Sequence, residues 1–288
     1  MTIAAVLLVV LARAGPQTPP PVFPAAVELV RVEVRVTRDG HPVVGLGTSD
    51  FELRDNGVRQ VLEPLVSERA PLDATLVLDM SGSVAGRRLE ALREAASAFL
   101  DGLDARDRAA LVTFTHQVTQ REALTADLGR VRSALLALSG SGSTALRDAL
   151  YVALHLDEAG PHRSAAVVFS DGVDNRSWLP AAGVVEAARR SATVVYAVVV
   201  RDPEDPGHPF LDDVTRATGG RVWTIRQDRD LRAGFLEVLE DIRSRYLLSY
   251  APSGVETAGW HALTVRLRGK KGEVLARPGY FRAAAPEP

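Results

Sequence analysis

The chain has no cysteine and only two lysines, Lys270 and Lys271. Without cysteine there is no disulfide framework, Fe–S cluster, thiolate zinc site or cysteine nucleophile. With lysine confined to one dipeptide, Schiff-base and Walker-A lysine chemistry have almost nowhere to sit. An excess of either charge is also missing: 34 Lys+Arg oppose 36 Asp+Glu, a formal net charge of −2. Nucleic-acid binders carry a clear basic excess, so no nucleic-acid partner is expected. What the 288 residues do hold is an ordinary globular composition, 46% hydrophobic and 24% charged. That suffices for a large core in one or two domains.

Residues 1–14 read as an export signal. Ile3 to Ala12 is a continuous apolar run, and Ala12-Arg13-Ala14 supplies the small-x-small pattern of a cleavage site. The run is about half the length that spans a bilayer, so no membrane span is expected in the mature chain. The competing reading, a first strand or buried helix, is opposed by the prolines that follow. Residues 15–24 hold five of them (Pro16, Pro19, Pro20, Pro21 and Pro24) and read as a stiff tether. Residues 283–288 read as a short disordered tail. The expected location is periplasmic or extracellular.

Between these ends the hydrophobic period changes twice. Over residues 25–70 it is two: Val30, Val32, Val34 and Val36 alternate with Arg31, Glu33, Arg35 and Thr37, a strand with one wet face. Phe51 to Arg54 alternates again, Asp55-Asn56-Gly57 is a hairpin signal, and Val58 to Val66 is expected to complete the pair. Over residues 73–244 short apolar runs alternate with helical patterns, which predicts an open, doubly wound, mostly parallel sheet of Rossmann-like α/β class. Val118 to Leu124 is expected as an antiparallel edge. Over residues 245–282 period two returns in short strands separated by Gly/Pro/Ser turns. Neither β stretch has enough strands to stand alone, whereas together they give about seven, the count of a small sandwich. The expectation is a sandwich-like β domain built from both flanking segments, with the α/β domain inserted in it. The alternative is two separate hairpin appendages.

Chemistry concentrates where the first α/β strand ends, at Asp79-Met80-Ser81-Gly82-Ser83. Ligands of doubly wound sheets bind outside the carboxyl ends of the strands. One carboxylate and two hydroxyls on a short loop are hard oxygen donors, suited to Mg²⁺, Mn²⁺ or Ca²⁺. The plainer reading is that Ser81 and Ser83 cap the next helix. Two further loops, Ser139 to Thr144 and Phe169-Ser170-Asp171-Gly172, are expected at the same edge of the sheet.

Here the sequence resembles the von Willebrand factor type A (VWA) family over about Asp73 to Ser244. By that resemblance Asp79, Ser81 and Ser83 correspond to the D-x-S-x-S set of the metal-ion-dependent adhesion site. Thr144, in Ser143-Thr144-Ala145-Leu146, matches the threonine of the second loop, and Asp171 the aspartate of the third. The resemblance implies that both aspartates act largely through bound waters, and that Ser81, Ser83 and Thr144 are direct neutral donors. The flanks, with Val36-Thr37-Arg38-Asp39-Gly40, Ser49-Asp50-Phe51-Glu52-Leu53 and Arg277-Pro278-Gly279-Tyr280-Phe281, resemble the exported bacterial "VWFA-related" proteins known best from acidobacteria.

A cation held mainly by hydroxyls and water stays electron-poor, and an open position on it favours an anionic oxygen such as a partner's Asp or Glu carboxylate. The expected function is therefore metal-dependent protein binding, with Mg²⁺ the best-fitting cation. The rivals are a structural or assembly protein of the cell envelope with a stabilising metal and, third, a metal-dependent hydrolase. The sequence has no G-x-S-x-G elbow, H-E-x-x-H or Gly-Lys-Ser/Thr loop, so no catalytic residue is assigned. Three residues are placed near the rim. His116 falls in a turn that could reach the metal face. Asp174 reads equally as a group tuning the metal or as an ordinary loop acid. Trp178 could anchor a partner, although core packing is the commoner fate of Trp.

Overall fold

A computed structural model of the protein describes residues 29–65, 70–156, 162–171, 174–201, 208–256 and 258–283. The export signal, the proline tether and all of the tail beyond residue 283 lie outside the described residues. Among the described residues no helix is long and apolar enough to cross a membrane.

Alternation along β1 (Val30–Arg38) buries Val32, Val34 and Val36 in one core. Its other face is drier than its charges suggest: Arg31 is exposed, but Glu33 and Arg35 are partly covered by the α/β domain. An Asp39-Gly40 turn leads to β2 (His41–Pro42). β3 (Phe51–Asp55) and β4 (Val58–Arg59) flank Asn56-Gly57, both at the positive φ that a type I′ hairpin requires. The expected strand from Val58 to Val66 is not formed beyond Arg59, and Val66 itself is not among the described residues. The Gln60 side chain instead donates to Ser253 O (3.0 Å) and accepts from Ser253 N (2.9 Å), while Glu63 N donates to Ser249 O (2.8 Å). These bonds draw the segment off β3 and across the sandwich.

The middle of the chain runs β5 (Leu72–Asp79), α1 (Arg87–Asp101), β6 (Arg108–Phe114), β7 (Val118–Thr125), α2 (Leu128–Leu136), α3 (Leu146–Leu154), β8 (Arg163–Ser170), α4 (Ala181–Arg190), β9 (Val194–Val200), α5 (Pro209–Thr218), β10 (Val222–Ile225) and α6 (Leu231–Ser244). Its strands form one sheet, ordered β10-β9-β8-β5-β6-β7 and parallel except for the antiparallel edge β7. Strand parity divides its two cores. In β9, Val194, Tyr196, Val198 and Val200 pack with residues of α1, α2 and α6, while Val195, Ala197 and Val199 pack with residues of α3, α4 and α5.

The chain then returns through β11 (Tyr246–Tyr250), β12 (Gly259–Leu267), β13 (Glu273–Ala276) and β14 (Gly279–Arg282). One sheet runs β11-β1-β13 with β2 beside β1, and the other β14-β12-β3-β4. Each mixes strands from before and after the α/β domain, so the flanking segments build one sandwich rather than two appendages. Its core includes Val32, Val34, Val36, Phe51, Leu53, Tyr246, Leu248 and Tyr250.

In the large sheet β6 lies on one side of β5 and β8 on the other, so strand order reverses at β5. Asp79 ends β5 and Ser170 ends β8 at that reversal, where an α/β sheet opens its ligand crevice.

Candidate metal centre

Three loops meet above the carboxyl ends of β5 and β8, and the backbone stitches them together. Gly82 N donates to Gly142 O (2.9 Å) and Ser141 N to Met80 O (2.7 Å), which joins the loop after β5 to the loop before α3. Ala145 N donates to Thr115 O (2.7 Å), tying the second loop to the end of β6. Gly142 has φ +94°, a conformation that glycine adopts without strain, and it brings its carbonyl to Gly82. Thr144 is buried and held by Asn175 on both sides: its N–H donates to Asn175 Oδ1 (3.0 Å), and Asn175 N donates to its carbonyl (3.1 Å).

The side chains connect the first and third loops. Asp79 is fully buried; its Oδ1 accepts from Ser81 N (2.8 Å) and its Oδ2 from Ser170 Oγ (2.8 Å). Ser81 Oγ lies 3.0 Å from Ser83 Oγ, and Ser83 Oγ donates to Asp171 Oδ2 (2.6 Å). Neither serine caps a helix: α1 begins after Gly86, with no side-chain cap bond. The plainer reading of the two hydroxyls therefore fails, and they face the aspartates instead.

Burial raises the pKa of Asp79 above the usual carboxylate value; hydrogen bonds from Ser81 and Ser170 oppose this, and the nearby charge of Asp171 adds to it. A buried carboxylate beside a second one is the setting in which a cation stabilises the charged form. No group of three or more His, Asp or Glu residues forms a metal site among the described residues. A cation here would thus rest on two carboxylates and neutral hydroxyls, a hard donor set that fits Mg²⁺, Mn²⁺ or Ca²⁺.

The rim residues separate into different roles. His116 is exposed, with Nδ1 3.3 Å from Thr115 Oγ1 and close to Gly142, so it stands at the edge of the second loop. Asp174 organises its own loop. It accepts from Arg147 N (2.8 Å), Ser177 N (3.1 Å) and Ser177 Oγ (2.7 Å), with the Arg147 guanidinium beside it. Burial pushes its carboxyl up, but Arg147 and Ser177 outweigh this and hold its pKa below the usual carboxylate value. Trp178 overturns the expectation of core packing, since it is 92% exposed. Its N–H donates to Asp148 Oδ2 and that of Leu179 to Asp148 Oδ1, both at 3.0 Å, which fixes the backbone and leaves the indole outside. Two contributors escaped the sequence reading, Ser170 and Asn175. Ser170 stands inside a quoted motif, where its hydroxyl was a signal. Asn175 pairs with a residue 31 positions away, which nothing local announces.

Residues 75–173 match the family model of the von Willebrand factor type A domain. With the sheet order and loops just described, the α/β domain that contains this stretch has the VWA fold. Among particular proteins it is similar to inter-alpha-trypsin inhibitor heavy chain H4 of Homo sapiens, 24% identical over 204 residues, covering 65% of this chain and 22% of that protein. The chain spans about a quarter of the length of the curated relatives it matches. Among solved structures, a von Willebrand factor type A protein from Catenulispora acidiphila superposes with a TM-score of 0.57 at 17% identity, covering 86% of this chain and 75% of that one. Proximal thread matrix protein 1 of the mussel byssus superposes at 0.53 and 17% identity, covering 65% and 49%. At these identities the likeness is one of fold. The first extends beyond the α/β domain into the sandwich.

Proposed function

We propose that this protein is an exported, metal-dependent protein-binding module. Asp79, Ser81, Ser83, Thr144 and Asp171 would hold one divalent cation, with Mg²⁺ the best fit. When bound, the cation would supply a Lewis-acidic position for a carboxylate of a partner's Asp or Glu. The observation that carries this reading is the buried Asp79, facing Asp171 and the hydroxyls of Ser81 and Ser83 rather than a cationic side chain. The protein's own residues do three things here. Ser170 and the Ser81 amide orient Asp79, Ser83 orients Asp171, and Asn175 fixes the backbone at Thr144. No base aimed at a bound water is identified, so binding rather than hydrolysis is the function proposed.

Water-proton relaxation of the Mn²⁺-loaded protein tests this reading. Bound Mn²⁺ with an open position should enhance relaxation, and an Asp-containing peptide should reduce the enhancement by displacing water. Asp79→Ala should abolish both effects while the fold survives. Enhancement that no carboxylate peptide reduces would remove the bridging role.

A further inference from the structure

Trp178 is an indole almost wholly in water on a backbone held by side-chain hydrogen bonds. Asp148 fixes its amide and the next one, Asp174 fixes the amides of Arg176 and Ser177, and Asn175 ties the same loop to Thr144. Trp178 is three residues beyond Asn175, at most about 11 Å of chain, on the loop that Asn175 ties to Thr144 and Asp148 ties to the first turn of α3. Of the protein's three tryptophans, Trp223 is 7% exposed and Trp260 37%, both packed against arginines and aromatic rings. Other exposed apolar side chains include Val44, after β2, and Val61, after β4, both in the sandwich segments. Arg176, also exposed, is two residues from Trp178 on the same loop.

A solvent-facing aromatic on a hydrogen-bonded backbone contributes much to association, because the backbone's ordering cost has already been met and only the side chain's remains. We propose that Trp178 is the apolar anchor of the partner interface. It seats a large apolar side chain of the same segment whose Asp or Glu meets the metal position, and Arg176 favours a second acid nearby. The partner is thus a protein segment that combines acidic and large apolar residues within a few positions. This inference rests on the metal-bridge reading above.

The test is to pan a displayed random-peptide library against the full chain in millimolar Mg²⁺, with EDTA elution. Parallel arms use Trp178→Ala and Asp79→Ala. Wild type should enrich peptides carrying Asp or Glu together with Trp, Phe, Leu or Ile. Trp178→Ala should keep the acidic enrichment, lose the apolar one, and bind the wild-type peptides about 30-fold more weakly with an unchanged melting temperature. Equal apolar enrichment on Trp178→Ala, or equal affinity of the recovered peptides for both proteins, overturns the anchor and leaves the metal reading intact. Enrichment indifferent to Mg²⁺ and to Asp79→Ala overturns the metal reading, and this inference with it, by a different signature.

Discussion

At the amino end of β8, Arg163 donates to both oxygens of Glu33 (3.0 and 2.9 Å) and to Ile242 O (2.6 Å). At the carboxyl end of the same strand, Ser170 donates to Asp79, and Asp171 follows beside Ser83. The first end is the seam with the sandwich. There Asp241 meets both Arg35 and the fully buried Arg245, and Arg245 also donates to Gly219 O (2.7 Å). Each seam acid is neutralised by arginine. At the loop end, Asp79 has only N–H and O–H donors, with another carboxylate close by. Buried charge is costly unless paired. The seam meets that demand within the chain and so works as structure, while at the loop end the proposed cation would meet it.

Breaking the seam should have the largest effect. Arg245→Ala leaves Asp241 with Arg35 alone, deprives Gly219 O of its buried donor and empties a fully buried side-chain volume, and should lower stability by about 3–5 kcal/mol in urea unfolding. A loss under about 1 kcal/mol would mean that the seam is not the clasp described. Glu33→Gln should cost about 2 kcal/mol at neutral pH, since it replaces charge-assisted bonds to Arg163. Burial raises the Glu33 pKa, but Arg163 outweighs burial and the net shift is downward from 4.5. Stabilisation from a lowered carboxylate is full above 4.5 and fades as pH falls through the lowered value. The stability gap between wild type and Glu33→Gln should therefore hold from neutral pH to about 4.5 and close below it.

At the loop end the effects on stability should be smaller. Asp148→Ala removes the acceptor for two amides and should cost about 1 kcal/mol, with faster hydrogen exchange at Trp178 and Leu179. Unchanged exchange there would show that the loop is rigid for another reason. Trp178→Ala should change stability by no more than about 0.5 kcal/mol, because its indole packs on almost nothing.

Most of the fold was legible because hydrophobic periodicity carries it. The unbroken apolar run Val194–Val200 is covered by helices on both faces, as a doubly wound sheet requires. The segment after Arg59 was misread because long-range bonds through Gln60 decide its path. The seam was hidden for the same reason: Glu33 and Arg163 are 130 residues apart, so alternating charges on β1 looked like a wet face. The candidate site was legible as three short motifs whose loops the sheet order brings together. Trp178 was not, because sequence shows residue type, while exposure here depends on Asp148 and Asp174 pinning a loop.

The central claim is that the loop end, unlike the seam, awaits a cation. Isothermal titration of the full chain with Mg²⁺ and Mn²⁺, alongside Asp79→Ala and with circular dichroism to verify the fold, tests it most directly. The account predicts one saturable site in the wild type and none in the folded Asp79→Ala protein. Equal binding by both proteins, or none by the wild type at millimolar metal, would contradict it.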